Sequence, residues 1–215
     1  MAQHSLNFEF EARYFTLGEL NKSTRNIIFV IHGYGQQAKY FIQKFKGLDH
    51  GKNLIVAPEG LSRFYLEGFS GRVGATWMTR EDRLTDIKNY INYLNQLAKT
   101  IVQPHLVSGN CKVSIIGFSQ GSATASRWAA NAKVQIDQLV LWAGIFPPDL
   151  NYDLAVDKFK HIDVHYVYGL QDPYLNDQRV REMKKISSEL EVAPKTTTFE
   201  GGHDIDPQTL DKLFR

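Results

Sequence analysis

Lys112-Val113-Ser114-Ile115-Ile116-Gly117-Phe118-Ser119-Gln120-Gly121-Ser122-Ala123 is the stretch whose reading decides the fold. Its first half is β-branched and apolar, which suits a buried strand. After Gly121 the small residues Ser122, Ala123, Ala125, Ala129 and Ala130 open a helical segment. Between the two lies Gly117-Phe118-Ser119-Gln120-Gly121, a Gly-x-Ser-x-Gly motif in a strand–turn–helix setting. A serine forced into so sharp a turn has strained dihedrals, and neighbouring strands leave no room for side chains at the flanking positions, hence the glycines. The turn lifts the Ser119 hydroxyl above the sheet edge, beside the positive end of the helix.

Outward from this stretch, short apolar runs alternate with segments of helical period. Asn26 to Ile31, Asn53 to Ala57, Lys112 to Phe118, Gln138 to Ala143, Asp163 to Tyr168 and Thr196 to Phe199 read as strands. Ala38, Phe41, Ile42 and Phe45 form one helical stripe. Leu84, Ile87, Ile91, Leu94, Ala98 and Ile101 form a longer one, opened by a capping-box pattern at Thr79 and Asp82. Val180, Met183 and Leu190 suggest another helix, and the last starts with Asp206 as cap and Pro207 in its first turn. Ser5 to Leu17 partly alternates and could supply one or two antiparallel edge strands. Such alternation predicts an α/β fold with a mostly parallel sheet and helices on both faces. Functional residues should then fall just after the carboxyl ends of strands.

A serine hydroxyl needs an adjacent base to become a nucleophile, and on this architecture an acid and a histidine follow the serine in that order. His161 and His165 lie at the start of a strand or within it, the wrong end for the site. His203 follows the Thr196 to Phe199 strand through Gly201-Gly202, a turn that lets an imidazole loop over the sheet edge. Asp172, in Gly169-Leu170-Gln171-Asp172-Pro173, comes just after the strand ending at Tyr168, and Pro173 stiffens its turn. Asp177 reads as a helix-start residue, Asp163 sits at the wrong strand end, and Asp204 and Asp206 read as turn and cap residues. The expected constellation is Ser119, Asp172 and His203.

Charge developing on a substrate carbonyl needs preorganised donors. The backbone N–H of Gln120, after the serine, is one. The second is assigned to the Tyr34 N–H in His32-Gly33-Tyr34-Gly35, which follows the Ile27 to Ile31 strand. His32 reads as a structural residue of that loop. Cys111 precedes its strand with no elbow around it and reads as an inert thiol.

With 215 residues the chain fits one compact domain, residues 1–215. A net charge of +2 and the absence of basic runs argue against nucleic-acid partners. One cysteine rules out an intrachain disulfide and fits a reducing compartment. Glu9, Glu11 and Arg13 interrupt any signal-peptide stretch, and no apolar run approaches the roughly 20 residues of a membrane span. The expectation is a cytoplasmic protein.

The series strand-His-Gly-x-Gly, Gly-Phe-Ser-Gln-Gly, Gly-x-x-Asp and Gly-Gly-His resembles the α/β-hydrolase superfamily, and within it the phospholipase/carboxylesterase family, which includes acyl-protein thioesterases. The resemblance runs from about Asn26 to the C-terminus. It implies an α/β-hydrolase fold without a large lid, no metal or cofactor, and the roles above for Ser119, Asp172, His203, Gln120 and Tyr34. Ser122 stands where the family often has a second glycine, and the segment from Glu59 to Arg80 departs from the wording of thioesterase members. That segment is expected as a long loop walling the substrate cleft, with Trp77 and Met78 as substrate-binding residues.

The function implied is a serine carboxylesterase acting on small or medium acyl esters. Alternatives are a lysophospholipase or acyl-protein thioesterase acting on long acyl chains, and a non-catalytic binding protein on the same fold. A hydrophobic face could support a homodimer, as in some relatives, though no stretch of sequence locates one.

Overall fold

The computed structural model describes residues 1–106 and 111–214. In chain order the elements are β1 (Tyr14–Leu17), β2 (Asn26–Ile31), α1 (Ala38–Phe41), a 3-10 helix (Ile42–Leu48), β3 (Asn53–Pro58), β4 (Ser62–Glu67), β5 (Ser70–Thr76) and α2 (Arg83–Leu106). They continue with β6 (Lys112–Phe118), α3 (Gln120–Ala130), β7 (Gln138–Trp142), α4 (Tyr152–Phe159), β8 (Asp163–Gly169), α5 (Asp177–Glu189), β9 (Lys195–Phe199) and α6 (Pro207–Phe214).

Seven strands form one sheet in the order β1-β3-β2-β6-β7-β8-β9. Only β1 runs antiparallel, pairing Tyr14 with Pro58 and Leu17 with Ile55; the other pairings are parallel. From β2 the chain first adds β3 on one side, then returns to add β6 on the other. A crevice opens at such a switch point, beyond the carboxyl ends of β2 and β6.

The reason the strands read as continuous apolar runs is visible in β2. Ile27, Phe29 and Ile31 point into one core with Trp128, Tyr90 and Leu94, while Ile28 and Val30 point into the other with Phe41, Phe45 and Leu210. Helices α2 to α5 cover the first face, and α1, the 3-10 helix and α6 cover the second. The β2 side chains from Ile27 to Ile31 therefore leave water whichever way they face, each contributing about 1.5–3 kcal/mol.

Three local expectations differ from the structure. The Glu59 to Arg80 segment is not a plain loop: β4 and β5 form an antiparallel hairpin that pairs Ser62 with Thr76 and Tyr65 with Val73, separate from the main sheet. The capping box at Thr79 and Asp82 does not form. Asp82 takes a positive φ of 45° just outside α2, and the Thr79 N–H instead donates to the Asp86 carboxylate at 3.2 Å, one turn into the helix. Helix α4 was not expected, because its eight residues offer too short a period to separate from a loop. Of the N-terminal stretch, Tyr14 to Leu17 alone pairs into the sheet.

Candidate active site

Ser119 occupies the turn between β6 and α3 with φ 55° and ψ −117°, a left-handed conformation that costs an L-residue energy and marks a constrained position. Its N–H donates to the Trp142 carbonyl at 2.9 Å. Both flanking glycines are required by space. A Cβ at Gly117 would lie 2.4 Å from the Gly121 oxygen, and one at Gly121 would lie 2.2 Å from the Ile31 oxygen. Ser122 fits because its buried hydroxyl donates to the Gly117 carbonyl at 2.7 Å, while Gly144 leaves the space the side chain occupies.

Asp172 and His203 reach the same end of the sheet from β8 and β9. The two turns lock together: Leu170 N–H donates to Phe199 O and Gln171 N–H to Gly201 O, each at 2.9 Å. Asp172 is fully buried; one carboxylate oxygen meets His203 Nδ1 at 2.8 Å and the other accepts the Tyr174 N–H at 2.9 Å. With Nδ1 turned to the carboxylate, Nε2 is the nitrogen left free to take a proton. The imidazole packs between the rings of Phe118 and Tyr174, at centroid distances of 4.9 and 4.8 Å. Among the described residues the Ser119 hydroxyl has no hydrogen-bond partner.

The loop after β2 is braced from three sides. His32 is fully buried; its Nε2 accepts the Gly60 N–H at 3.0 Å, so Nδ1 carries the hydrogen toward Gly33 O at 2.8 Å. Burial lowers its pKa to about 4, against the smaller raising effects of the Gly33 bond and Glu59. His32 is thus a neutral structural group. Gly33 N–H donates to the Gln36 side chain at 2.8 Å and Gly35 N–H to Ala75 O at 2.9 Å. The Tyr34 N–H is left without an acceptor among the described residues, as is the Gln120 N–H that opens α3. Both lie just past the carboxyl ends of the neighbouring strands β2 and β6, the end of the sheet where an oxyanion would need donors. Gly33 allows the approach: a Cβ there would come within 3.3 Å of Ser119 Cβ.

Trp77 does not stand on an open cleft wall, where the sequence reading put it. Trp77 is 2% exposed, its indole N–H donates to the His32 carbonyl at 2.9 Å, and its ring packs on His32 and Tyr90. It braces the loop from behind and lines no open cleft. Met78 turns its sulfur toward Arg127, 3.8 Å from Nη1. Trp77 follows β5, where the chain enters the core, an entry concealed by reading a loop in place of a hairpin; Met78, next in sequence, is half-buried.

Several residues with positional roles were not singled out by sequence. The Gln120 side chain accepts from Thr76 Oγ1 at 3.1 Å and Trp77 N at 3.3 Å and donates to Met78 O at 3.2 Å, clamping the start of α3 to the end of the hairpin. Trp142 joins the elbow to the histidine turn: its carbonyl accepts from Ser119 and its indole N–H donates to Asp204 O at 2.9 Å. Its place at the carboxyl end of β7 was the signal available. Behind α3, buried Arg127 bonds Asp149 at 2.5 Å and Tyr90 at 3.3 Å, and Arg83 also bonds Asp149. Burial pushes the Asp149 carboxyl up, but Arg127 and Arg83 more than offset it and hold its pKa below the usual value.

Among the described residues no three His, Cys, Asp or Glu side chains gather as a metal site, and no helix is long and apolar enough to cross a membrane.

Comparison with known proteins bears on this geometry. The family profile described as Phospholipase/Carboxylesterase matches residues 15–215. No curated protein matched the chain by sequence. Among solved structures, acyl-protein thioesterase 2 of Zea mays is similar with a TM-score of 0.68 at 17% identity, over 95% of this chain and 96% of the other. A phospholipase/carboxylesterase of Dyadobacter fermentans gives 0.64 at 18% identity, over 97% of each chain. The carboxylesterase of Bacillus cereus gives 0.63 at 14% identity, over 94% of this chain and 92% of the other. At these identities the likeness is one of fold.

Proposed function

We propose that this chain, which belongs to the phospholipase/carboxylesterase family and has an α/β-hydrolase fold, is a serine carboxylesterase that hydrolyses small or medium acyl esters. The reading is carried by the buried Asp172 carboxylate held 2.8 Å from His203 Nδ1 at the sheet end where Ser119 sits strained on its elbow.

Ser119 Oγ attacks the ester carbonyl while His203 Nε2 takes its proton. Asp172 stabilises the imidazolium and fixes its tautomer. The Tyr34 and Gln120 amides, free of other acceptors, donate to the oxyanion of the tetrahedral intermediate. His203 then returns the proton to the departing alcohol, leaving an acyl-serine. A water molecule deprotonated by His203 attacks that acyl group, and the carboxylic acid leaves as Ser119 is restored.

The test is incubation with a fluorophosphonate followed by intact-mass measurement, beside a Ser119→Ala control. Such probes react only with a serine whose base and oxyanion donors are assembled. One adduct on the native chain and none on the control is expected. A folded native chain without adduct overturns the reading in favour of a non-catalytic binding role. On fresh, unlabelled protein a chain-length series of esters and thioesters follows, in which a preference for long acyl thioesters would replace the short-ester assignment.

A further inference from the structure

Beside the candidate oxyanion loop lies a cavity of about 650 Å³, between the β4–β5 hairpin on one side and α1 with the 3-10 helix on the other. Tyr40, Phe41, Leu66 and Val73 give it apolar walls, Lys44 and Arg72 also line it, and no acidic side chain does. The charged side chains that line it are both cationic. Lys39 Nζ sits 4.7 Å over the Tyr40 ring, and Lys44 is matched by Asp204 at 2.7 Å. Arg72 has no carboxylate partner among the described residues.

The cavity adjoins the candidate active site through Gly35 and Gln36, which line it and follow Tyr34 in the same loop. A Cβ at Gly35 would lie 3.1 Å from Leu66 Cδ2, and one at Gly74 would lie 2.4 Å from the Gly35 oxygen, so the hairpin seats directly on the loop that carries the Tyr34 amide. Phe64 packs against Tyr34 at 5.2 Å between centroids, and Phe41 reaches Phe118, whose ring also touches His203. A residue on β5 shares its hairpin face with the residue two positions on, so Arg72 stands on the face of Gly74, about 7 Å further along the strand.

We infer that this cavity takes the acyl arm of the substrate and that the arm ends in an anion met by Arg72, making the preferred substrates half-esters of dicarboxylic acids or similar ω-anionic acyl esters. The inference rests on the esterase reading above. The leaving alcohol must face His203, which protonates it, and His203 does not line the cavity; the acyl half therefore turns the other way, past the oxyanion donors. An apolar wall with an unpaired guanidinium at its rim suits a methylene chain with a terminal carboxylate, since Arg binds carboxylates through a planar fork.

The experiment compares kcat/KM for the mono-p-nitrophenyl ester of adipic acid with that for p-nitrophenyl hexanoate, in the native chain and in Arg72→Gln, Arg72→Glu and Arg72→Lys. Lys99→Glu, an exposed position on α2, serves as the charge control. At low salt the native ratio is expected to favour the anionic ester by about three- to tenfold. Arg72→Gln should bring the ratio near unity, Arg72→Glu should reverse it, and Arg72→Lys should keep most of it. Lys99→Glu should not move the ratio, and roughly 0.5 M salt should shrink it. Turnover of both esters with the neutral one preferred, or with a ratio that Arg72→Glu leaves alone, overturns the inference while the esterase reading stands. Failure to turn over either ester, with no fluorophosphonate adduct, overturns both.

Discussion

The indole N–H of Trp142 donates to the backbone carbonyl of Asp204 at 2.9 Å, and Asp204 is the residue after His203. The Trp142 carbonyl meanwhile accepts the Ser119 N–H. One fully buried residue at the end of β7 therefore ties the Ser119 turn to the His203 turn, from a strand that carries no member of the proposed triad. Trp142→Phe keeps most of the packing and removes only the donor. We expect kcat for p-nitrophenyl esters to fall about tenfold with KM changed less than about twofold, because small displacements of a base cost rate more than binding. Steady-state kinetics beside a urea melt check this; a KM rise with unchanged kcat would contradict the positioning role.

Asp172→Asn should leave the fold intact, since an asparagine oxygen can still accept the Tyr174 N–H. It should lower kcat by about 10⁴-fold, as expected when the imidazole is held in the wrong tautomer. Fluorophosphonate labelling should slow in step. A loss under about tenfold would remove Asp172 from the acid role.

His32 links stability to pH. Its pKa in the folded chain is lowered to about 4, against 6.5 for the unfolded group. The unfolded chain thus binds the extra proton first, and the stabilising contribution is complete above pH 6.5 and lost as pH falls toward 4. The loss between pH 7 and pH 4 is on the order of 3 kcal/mol. Urea midpoints across this range should fall more steeply for the native chain than for His32→Gln, and equal slopes would refute the assignment.

Gly74→Ala tests the seating of the hairpin. The new Cβ would meet the Gly35 oxygen at 2.4 Å, a backbone atom that cannot rotate away. Displacing the loop should lower kcat/KM by about 10²-fold, through loss of one oxyanion donor, with destabilisation of about 1–3 kcal/mol. Gly68→Ala, at the hairpin tip with open space around it but a positive φ, should cost only local strain and spare the rate.

Much of the architecture was legible because the strands are buried on both faces: Asn26 to Ile31 and Lys112 to Phe118 have no polar face to blur their ends. Asp172 and His203 were legible for a related reason, since each follows a strand through a turn whose glycines and proline mark it. The hairpin escaped notice because its residues are largely exposed on both sides, so no alternation of apolar and polar residues survives in β4. Trp77 was misplaced on the same account: an aromatic residue after a supposed loop reads as a cleft wall, whereas after β5 the chain dives into the core.

Sequence alone determined the sheet, its helices on both faces and the end at which chemistry would collect, because period and turn chemistry are local properties that each segment carries with it. Tertiary structure alone decided which side chains support that site. The bonds of His32 to Gly60, of Gln120 to Thr76 and of Trp142 to Asp204 span 28, 44 and 62 positions. No local pattern encodes partners so distant; they meet only after the strands have taken their order in the sheet.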